Sequence, residues 1–396
     1  MPSYDANAQH EADAGMPDSM REATRLTRAG RLTEATALIQ RTLANRSGGP
    51  APARPAERSP RPAEESPRPP APLRWLRRHQ HAPASTQTIT VPSRTRPASQ
   101  PPDATTAPAG RFTTASHSNR AGTRSYKLYV PRDAGSGPKP LIVMLHGCSQ
   151  HADDFAAGTR MNALAEASGF VVVYPQQSDR ANPSRCWNWF KADDQVRDGG
   201  EPSIIAGITR EVAAAHGVDD RRIYVAGMSA GAAMAVIMGS THPDLYAGVG
   251  VHSGLAYGAA SDLPSALRAM KQGGAGGARR ASGTPTIVFH GDKDQTVHRR
   301  NGEQVLAPWT SGGAQSVPGR RALVTVHEGR VPAGRSYTRY VYRDGDGRPL
   351  AEGWSVHGMG HAWSGGDAAG SYTDPTGPDA SAEIVRFFGE VAAQRS

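Results

Sequence analysis

Short apolar runs alternate with longer helix-like stretches from about residue 124 to the C-terminus. The runs are rich in Val and Ile and are bounded by glycine, proline or polar residues, which is typical of buried strands. The predicted strands are SYKLYVP, KPLIVMLHG, GFVVVYPQ, RRIYVAG, YAGVGVHSG and PTIVFHGDKD. The predicted helices are Ala152–Ser168, Ser203–His216, Ala230–Thr241 and Ala380–Ala393.

Strands and helices that alternate in this way form a mostly parallel central sheet with helices on both faces, so the sequence predicts an α/β fold. Two later segments, RSYTRYVYRD and AEGWSVHG, alternate apolar and polar residues on either side of GDGRP. That pattern favours a hairpin or a pair of edge strands. Ligands of open parallel sheets bind beyond the carboxyl ends of the strands, so we expect the functional residues at those ends.

The first 122 residues follow a different pattern. Within residues 1–45, a capping box (Ser19-x-x-Glu22) precedes apolar residues at helical spacing, which predicts a short helical hairpin. Residues 46–122 are rich in Pro, Arg, Ala and Glu, and this composition predicts a disordered linker because it cannot bury enough apolar surface to fold. The folded domain would then occupy residues 123–396.

The positive charge of the chain is concentrated in the predicted linker. The stretch from Ala51 to Ser125 holds twelve arginines, no lysine and four acidic residues, so it carries +8 of the formal +9 of the whole chain. Most of the net positive charge therefore lies in a solvated, proline-rich linker and not in the predicted folded domain. For this reason we expect no nucleic-acid partner. No apolar run approaches the roughly 20 residues that span a bilayer, so no membrane span is expected.

The most specific chemical signal is the pattern Gly227-Met228-Ser229-Ala230-Gly231. A serine nucleophile on a strained turn needs a strand before it and a helix after it, and glycines that let the two approach closely. RRIYVAG and AGAAMAVIMG supply that strand and that helix. The alternative, a plain tight turn, is less consistent with this context, so Ser229 is the predicted nucleophile.

A serine nucleophile requires a base to remove its proton and an acid to orient that base. Asp292 and Asp294 follow the predicted strand TIVFHG, where a carboxylate can point across the site. Asp294 has the better reach and is the predicted acid, whereas Asp292 is predicted to cap the turn. The alternative is that both are turn residues.

His361, in the glycine-flanked segment HGMGHAWSGG, is the predicted base, and His357 is its competitor. We expect the three other histidines near strand ends, His252, His290 and His298, to support the site or pack in the core. None of these histidines has the spacing of a zinc-binding helix, so the sequence predicts neither a metal nor another cofactor.

The oxyanion of an acyl-transfer reaction needs preorganised N–H donors. One predicted donor is the backbone N–H of Ala230, directly after the nucleophile. The second is the N–H of Cys148, because MLHGCSQ places a His-Gly turn at the end of an early strand. The alternative is that this His-Gly segment is an ordinary turn without a catalytic role.

The chain has two cysteines, Cys148 and Cys186. They are either two buried thiols or one disulfide that closes the loop between two site segments. A bridge would stabilise the fold by about 4 kcal/mol in the chain-entropy model. It would also conflict with a reducing cytoplasm, so both alternatives stay open.

Five motifs in this order, LHGCSQ, CWNWF, VAGMSAGAAMA, HGDKDQTV and GMGHAWSGG, resemble the polyhydroxybutyrate depolymerase family of esterases. That family is related to feruloyl and acetylxylan esterases and has an α/β-hydrolase fold. The resemblance extends from about Arg124 to Ala393, and it implies that residues 123–396 are an α/β-hydrolase catalytic domain. It does not cover the N-terminal segments.

The resemblance also implies roles for individual residues. It supports the Cys148–Cys186 bridge, and it would place Trp187, Trp189 and Trp363 beside the substrate, with core packing as the alternative. The implied site has Ser229 as nucleophile, Asp294 as acid, His361 as base, and the N–H groups of Cys148 and Ala230 as oxyanion donors.

These features together predict a serine esterase whose partner is an ester substrate, with hydroxyalkanoate esters first and feruloyl or acetyl esters of plant polysaccharide as the alternative. The non-enzyme alternative is a binding protein that acts through the N-terminal hairpin and the basic linker. The resemblance and the disulfide suggest an extracellular protein, whereas the first twenty residues lack the apolar core of a Sec signal peptide and suggest a cytoplasmic one. The sequence carries no signal for an oligomeric state.

Overall fold

The computed structural model describes residues 110–132, 135, 137–274, 283–309 and 322–394. The predicted helical segment 1–45 lies outside these residues. So does most of the predicted linker, whose last residues, from 110 onward, are described.

The strands of the described residues form one ten-stranded sheet and one separate strand pair. The strands of the large sheet are β1 (Arg111–Asn119), β2 (Gly122–Val130), β3 (Lys139–Leu145), β4 (Val171–Pro175), β5 (Val218–Met228), β6 (Gly248–His252), β7 (Thr286–Gly291), β8 (Leu323–Arg330), β9 (Ser336–Arg343) and β10 (Pro349–Val356). The short strands β11 (Trp363–Ser364) and β12 (Thr373–Asp374) form the pair.

The helices flank this sheet. They are α1 (Ala152–Thr159), α2 (Met161–Ser168), α3 (Gly200–His216), α4 (Ala230–Thr241), α5 (Leu263–Gln272), α6 (Arg300–Leu306) and α7 (Ala380–Ala393). Two 3₁₀ turns occupy Ala192–Gln195 and Ala307–Trp309.

The sheet has a parallel centre and antiparallel edges. Its strand order is β1-β2-β4-β3-β5-β6-β7-β10-β9-β8. The neighbours from β4 through β10 pair in parallel, and β1, β2, β9 and β8 pair antiparallel at the two sides. The predicted α/β fold is therefore confirmed. The antiparallel pairing of β9 with β10 confirms the hairpin expected around GDGRP.

Side-chain alternation divides the core between the two faces of the sheet. In β3, Leu141, Val143 and Leu145 join a cluster with residues of α3, α4, α5 and α6. Ile142 and Met144 point the other way and join a cluster with residues of α1, α2 and α7. Because both faces are covered, the central strands are apolar along their whole length, and this is the pattern that the sequence shows.

Two predicted helices differ from those in the structure. The single helix predicted over Ala152–Ser168 is wrong, because Arg160 adopts a left-handed conformation (φ 54°) and separates α1 from α2. Its guanidinium lies 3.1 Å from the Asp379 carboxylate at the start of α7, a contact that the local sequence cannot show. The helix predicted from Ser203 begins at Gly200 instead. The bounds predicted for α4 and α7 are confirmed.

Strand β1 lies inside the stretch 46–122 that composition predicts as linker. The strand pairs with β2 along its whole length, so residues from Arg111 onward belong to the sheet, and the boundary predicted at residue 123 falls too late. Most β1 side chains are exposed, which explains why its sequence lacks an apolar signal. Phe112 packs edge-to-face on Tyr129 and Tyr174, at 6.2 and 5.9 Å between ring centroids.

Strand register brings the functional segments to one edge of the sheet. Leu145 of β3 pairs with Gly227 of β5, and Met228 pairs with His252 of β6. Gly291 of β7 pairs with Val356 of β10. The loops that follow these carboxyl ends are therefore neighbours, at the edge where parallel sheets bind their ligands. No helix in the described part of the chain is long and apolar enough to cross a bilayer.

Candidate active site

Ser229 occupies a strained turn between β5 and α4. Its backbone angles, φ 55° and ψ −119°, lie in a region that non-glycine residues rarely adopt. The side chain is nearly buried, with 9% exposed. The N–H of Ser229 donates to the carbonyl oxygen of His252 at 2.9 Å, which fixes the turn against the end of β6. A strained serine that is held rigidly in this way is the geometry expected of a nucleophile elbow.

The glycine at position 231 lets α4 start directly against the end of β3. A Cβ atom there would overlap the carbonyl oxygens of Leu145 and His146. Any larger residue would therefore push the helix away from the strand and move Ser229 with it. The motif glycine is required by this close approach.

His361, which is partly buried, forms a hydrogen-bonded pair with the buried Asp294. The distance between His361 Nδ1 and Asp294 Oδ2 is 2.7 Å, and the Asp294 side chain has no exposed surface. Asp294 Oδ1 accepts the backbone N–H groups of Thr296 and Val297, each at 2.9 Å. Burial alone would raise the pKa of Asp294, but the hydrogen bonds from His361 and Val297 outweigh it and hold that pKa below its usual value. Asp294 is therefore a fixed carboxylate.

Asp292 and His357 form a second, more exposed pair. Their Oδ2 and Nδ1 atoms are 3.2 Å apart, and 43% of the His357 side chain is exposed. Asp292 Oδ1 accepts the N–H of Gly358 at 2.7 Å, so this carboxylate holds the loop after β10, whereas the sequence predicted that it caps its own turn after β7. His357 Nε2 already lies 3.0 Å from Thr338 Oγ1. Both ring nitrogens of His357 are therefore occupied.

The ring of His361 differs in this respect. Among the described residues, its Nε2 has no hydrogen-bond partner, and Ser229 Oγ makes no hydrogen bond to His361 or Asp294. A free Nε2 on an imidazole whose Nδ1 is bound to a carboxylate is the arrangement that a general base requires.

His252 joins the nucleophile turn to the loop that carries His361. Its carbonyl oxygen accepts the N–H of Ser229, and its Nε2 accepts the N–H of Ser364 at 3.0 Å. The ring stacks on Trp363, with centroids 4.9 Å apart. Burial lowers the pKa of His252 to about 3, so the ring is neutral and can accept this bond. The sequence suggested only support or packing for His252, and its position at a strand end was the available signal.

The two remaining histidines lie around the loop that carries Asp294, and His290 Nε2 is 3.5 Å from Asp294 Oδ2. The buried His290 donates from Nε2 to the carbonyl oxygen of Val297 at 2.8 Å, and burial lowers its pKa. His298 is exposed and lies ahead of α6, where its Nδ1 accepts the N–H of Arg300 at 3.3 Å. Both therefore shape the loop that presents Asp294.

Two backbone N–H groups near Ser229 have no acceptor among the described residues. In the described residues, neither the Cys148 N–H nor the Ala230 N–H donates to a protein atom. The loop of Cys148 is close to the nucleophile, because a Cβ on Gly147 would lie 3.5 Å from Ser229 Cβ. Unpaired donors at the start of a helix and on an adjacent loop can bind a developing oxyanion.

The structure contains the Cys148–Cys186 disulfide, with Cα atoms 4.2 Å apart. It ties the loop after β3 to the segment around Cys186. A further bond from Ser149 N–H to the Ser184 carbonyl, at 2.7 Å, holds the same two segments together. The bridge therefore restrains the loop that carries the Cys148 N–H.

The three tryptophans predicted beside the substrate lie in the core. Trp187 has no exposed surface, and its ring packs 5.7 Å from that of His146. Trp363 is 1% exposed and donates from Nε1 to Ser381 Oγ at 3.1 Å. Trp189, 6% exposed, packs edge-to-face on Phe190. All three indoles are buried, as the core-packing alternative expected.

An open cleft of about 490 Å³ lies beside the exposed pair of His357 and Asp292. Its lining includes Arg330, Arg335 and His357. Across the described ranges, no three His, Cys, Asp or Glu side chains are grouped so that they could hold a metal ion. The chemical groups that the structure places at this edge of the sheet include the serine, the imidazole, the carboxylate and the two N–H donors.

The sequence model of the Esterase PHB depolymerase family matches residues 124–328. That range includes Cys148, Ser229 and Asp294 and ends before His361. The match covers more than half of the chain.

Individual proteins show the same similarity. Poly(3-hydroxyalkanoate) depolymerase C of Paucimonas lemoignei is 33% identical over 257 residues, which are 61% of this chain and 59% of that protein. Feruloyl esterase B of Thermothelomyces thermophilus is 28% identical over 253 residues, 59% of this chain and 82% of that protein. The chain thus spans less than two thirds of the length of the depolymerase.

A solved structure shares the fold. The acetyl xylan esterase from Aspergillus awamori superimposes with a TM-score of 0.52 at 20% identity, covering 71% of this chain and 100% of that chain. At this identity the likeness concerns the arrangement of strands and helices.

Proposed function

The chain belongs to the Esterase PHB depolymerase family, and on that basis we propose that it is a serine esterase that cleaves carboxylic esters through an acyl-enzyme. Ser229 is the nucleophile, His361 the general base and Asp294 the carboxylate that orients His361. The catalytic domain in this proposal begins before residue 123, because β1 is part of its sheet.

The first half of the reaction forms the acyl-enzyme. Ser229 Oγ attacks the ester carbonyl carbon while His361 Nε2 takes the hydroxyl proton. Asp294 keeps the proton on His361 Nδ1 and stabilises the imidazolium that forms. The N–H groups of Cys148 and Ala230 bind the oxyanion. When the tetrahedral intermediate collapses, His361 returns the proton to the departing alcohol.

The second half releases the acid. Water enters in place of the alcohol and gives its proton to His361 Nε2 as its oxygen attacks the acyl carbon. The same two N–H groups bind the second oxyanion. The carboxylic acid then leaves, and Ser229 regains its proton from His361.

The observation that carries the proposal is the 2.7 Å bond between His361 and Asp294, which leaves His361 Nε2 free. The Asp294 side chain is buried, and it follows β7, whose carboxyl end lies at the same edge of the sheet as Ser229. The exposed pair of Asp292 and His357 offers no free ring nitrogen. This arrangement favours an enzyme over a binding protein that acts through the N-terminal segments.

Hydroxyalkanoate esters are the proposed substrate class. The family model and the similarity to a poly(3-hydroxyalkanoate) depolymerase support it. Feruloyl esters of plant polysaccharide are the second candidate, because a feruloyl esterase is similar over 82% of its own length. The disulfide supports an extracellular location, since such bonds persist in oxidising compartments.

A direct comparison of substrates tests the proposal. The purified chain is incubated with soluble 3-hydroxybutyrate oligomers and, separately, with methyl ferulate, and the released acids are measured. We expect a higher kcat/KM on the oligomers. A higher value on methyl ferulate would replace the first substrate class by the second, and no hydrolysis of either would contradict the esterase assignment.

A further inference from the structure

Two buried side chains hydrogen-bond the backbone of Gly147, whose carbonyl belongs to the peptide group that presents the Cys148 N–H. The carbonyl oxygen of Gly147 lies 2.7 Å from His146 Nδ1. The N–H of Gly147 donates to Gln150 Oε1 at 2.9 Å. His146 is 1% exposed and Gln150 is 2% exposed. The loop after β3 is thus fixed by hydrogen bonds as well as by the disulfide.

The protonation of His146 follows from its neighbours. The backbone N–H of Gln177 donates to His146 Nε2 at 3.1 Å, so Nε2 carries no proton. The proton of the neutral ring is therefore on Nδ1, which donates to the Gly147 carbonyl oxygen. Burial lowers the pKa of His146 to about 4, which keeps the ring neutral at ordinary pH.

Peptide planarity carries this bond to the oxyanion site. The Gly147 carbonyl and the Cys148 N–H belong to one trans peptide group, so they point in opposite directions. When His146 holds the carbonyl on its own side, the N–H must point away from His146. A Cβ on Gly147 would be 3.5 Å from Ser229 Cβ, so this peptide lies next to the nucleophile.

Gln177 connects His146 to Cys186, the disulfide partner of Cys148. Its Nε2 donates to the Cys186 carbonyl at 2.9 Å and to the buried carboxylate of Glu201. Its Oε1 accepts from Arg124 Nε at 2.8 Å. Gln177 therefore holds His146 through its backbone and Cys186 through its side chain, and the side chain itself is fixed by a buried ion pair of Arg124 with Glu201.

We propose that His146 is a positioning residue for the oxyanion site: held by Gln177, it orients the Gly147–Cys148 peptide so that the Cys148 N–H points at the oxyanion. The inference rests on the proposed function. Its consequence is specific, because loss of the Nδ1–H bond weakens binding of the transition state and leaves binding of the ester unchanged.

Packing is the competing explanation, since the His146 ring also contacts Trp187. Two substitutions separate the explanations. In His146→Asn, the side-chain amide reaches the Nδ1 position and can donate to the Gly147 carbonyl. In His146→Gln, the amide reaches the Nε2 position and can accept from Gln177, but it leaves the carbonyl without its donor. Both variants lose the ring.

Each variant is assayed on p-nitrophenyl butyrate for kcat and KM, and its affinity for a trifluoromethyl ketone, which forms a tetrahedral adduct with the serine, is measured. We expect His146→Gln to lower both kcat and ketone affinity by about 10- to 100-fold, with little change in KM. The loss should be smaller than the roughly 10²–10³-fold loss on deletion of an oxyanion donor, because the Cys148 N–H is still present. His146→Asn should stay within about fivefold of the wild type.

A matched control is His242→Gln. His242 is also 1% exposed, but it follows the far end of α4 from Ser229, where its Nδ1 lies 2.8 Å from Thr241 Oγ1. It should lower the unfolding midpoint and leave kcat and ketone affinity unchanged. Equal kcat for the Asn and Gln variants of His146, with an active wild type, would overturn this inference alone. An inactive wild type would overturn the proposed function.

Nitrogen-15 NMR of the wild-type imidazoles, assigned through the backbone, tests the inference without any substitution. It remains decisive if the His146 variants do not fold. We expect His146 to carry its proton on Nδ1 at neutral pH. A proton on Nε2 would contradict the proposed orientation, because the Gly147 carbonyl would then have no donor.

Discussion

His361 Nδ1 lies 2.7 Å from the buried Asp294 Oδ2, and the second imidazole nitrogen of His361 has no partner among the described residues. Four residues earlier in the chain, His357 meets Asp292 at 3.2 Å on the surface. The chain thus provides two histidine–carboxylate pairs on the same two loops. They differ in burial and in whether a ring nitrogen is free, and these differences predict which pair is catalytic.

Replacing Asp294 by Asn should lower kcat by roughly 10²–10⁴-fold, because the amide no longer holds the proton on His361 Nδ1. The matched control is Asp292→Asn, whose amide oxygen can still accept the N–H of Gly358, and it should cost less than about tenfold. Hydrolysis of p-nitrophenyl butyrate under saturating conditions measures both. A larger loss in Asp292→Asn would move the catalytic role to the surface pair.

His252 should matter for both stability and rate. In His252→Phe the stacking on Trp363 is kept, but the buried N–H of Ser364 loses its acceptor. An unsatisfied buried donor costs about 1–3 kcal/mol, so the free energy of unfolding in urea should fall by that amount. We also expect kcat to fall by about tenfold, as Ser364 follows His361 on the same loop. Unchanged urea stability would show that this hydrogen bond contributes nothing.

The disulfide should contribute about 4 kcal/mol to stability by closing a loop with a sequence separation of 38 residues. Urea unfolding with and without a reductant measures this contribution. Since the chain has two cysteines, both in the bridge, a reductant breaks no other bond. Activity should fall as well, because the bridge restrains the loop of Cys148. Identical unfolding curves would mean that the bond is not formed in solution.

Buried histidines should make the fold less stable in mild acid. Burial lowers the pKa of His146 and His242 to about 4 and that of His252 to about 3. Below about pH 6.5 these three histidines are protonated in the unfolded chain but remain neutral in the folded protein. Each ring therefore reduces stability by about 1.4 kcal/mol per pH unit as the pH falls towards 4.

One carboxyl group opposes this trend. Burial and the neighbouring Glu201 raise the pKa of Asp194 to about 6, so its protonation below that pH favours the folded state. Asp194 offsets the effect of one of these three histidines, so the free energy of unfolding still increases as the pH rises from 4 to 6.5. The unfolding midpoint should therefore fall between about pH 6.5 and 4, and less steeply in His242→Gln. A midpoint that is constant over this range would contradict the assigned pKa directions.

Much of the fold could be predicted from the sequence because the central elements carry a local signal. Strands buried on both faces are continuous apolar runs, and α4 and α7 begin and end where their apolar residues do. The motif around Ser229 also predicts the turn from sequence, because the close contact of α4 with β3 requires its glycines.

The rest depends on contacts between distant parts of the chain. Strand β1 has few buried side chains, so only its pairing with β2 reveals it. The break at Arg160 coincides with an ion pair to Asp379. The roles of His252 and Gln177 arise where strand ends meet, and neither residue belongs to a local motif.

All of the proposed chemistry depends on the hydroxyl group of Ser229. Hydrolysis of p-nitrophenyl butyrate by the wild type and by Ser229→Ala, which keeps the turn and removes only the hydroxyl, tests it most directly. We predict turnover by the wild type and a loss of at least about 10⁴-fold in the variant, with an unchanged unfolding midpoint. A wild type without turnover, or a folded variant within tenfold of the wild-type rate, would contradict the account.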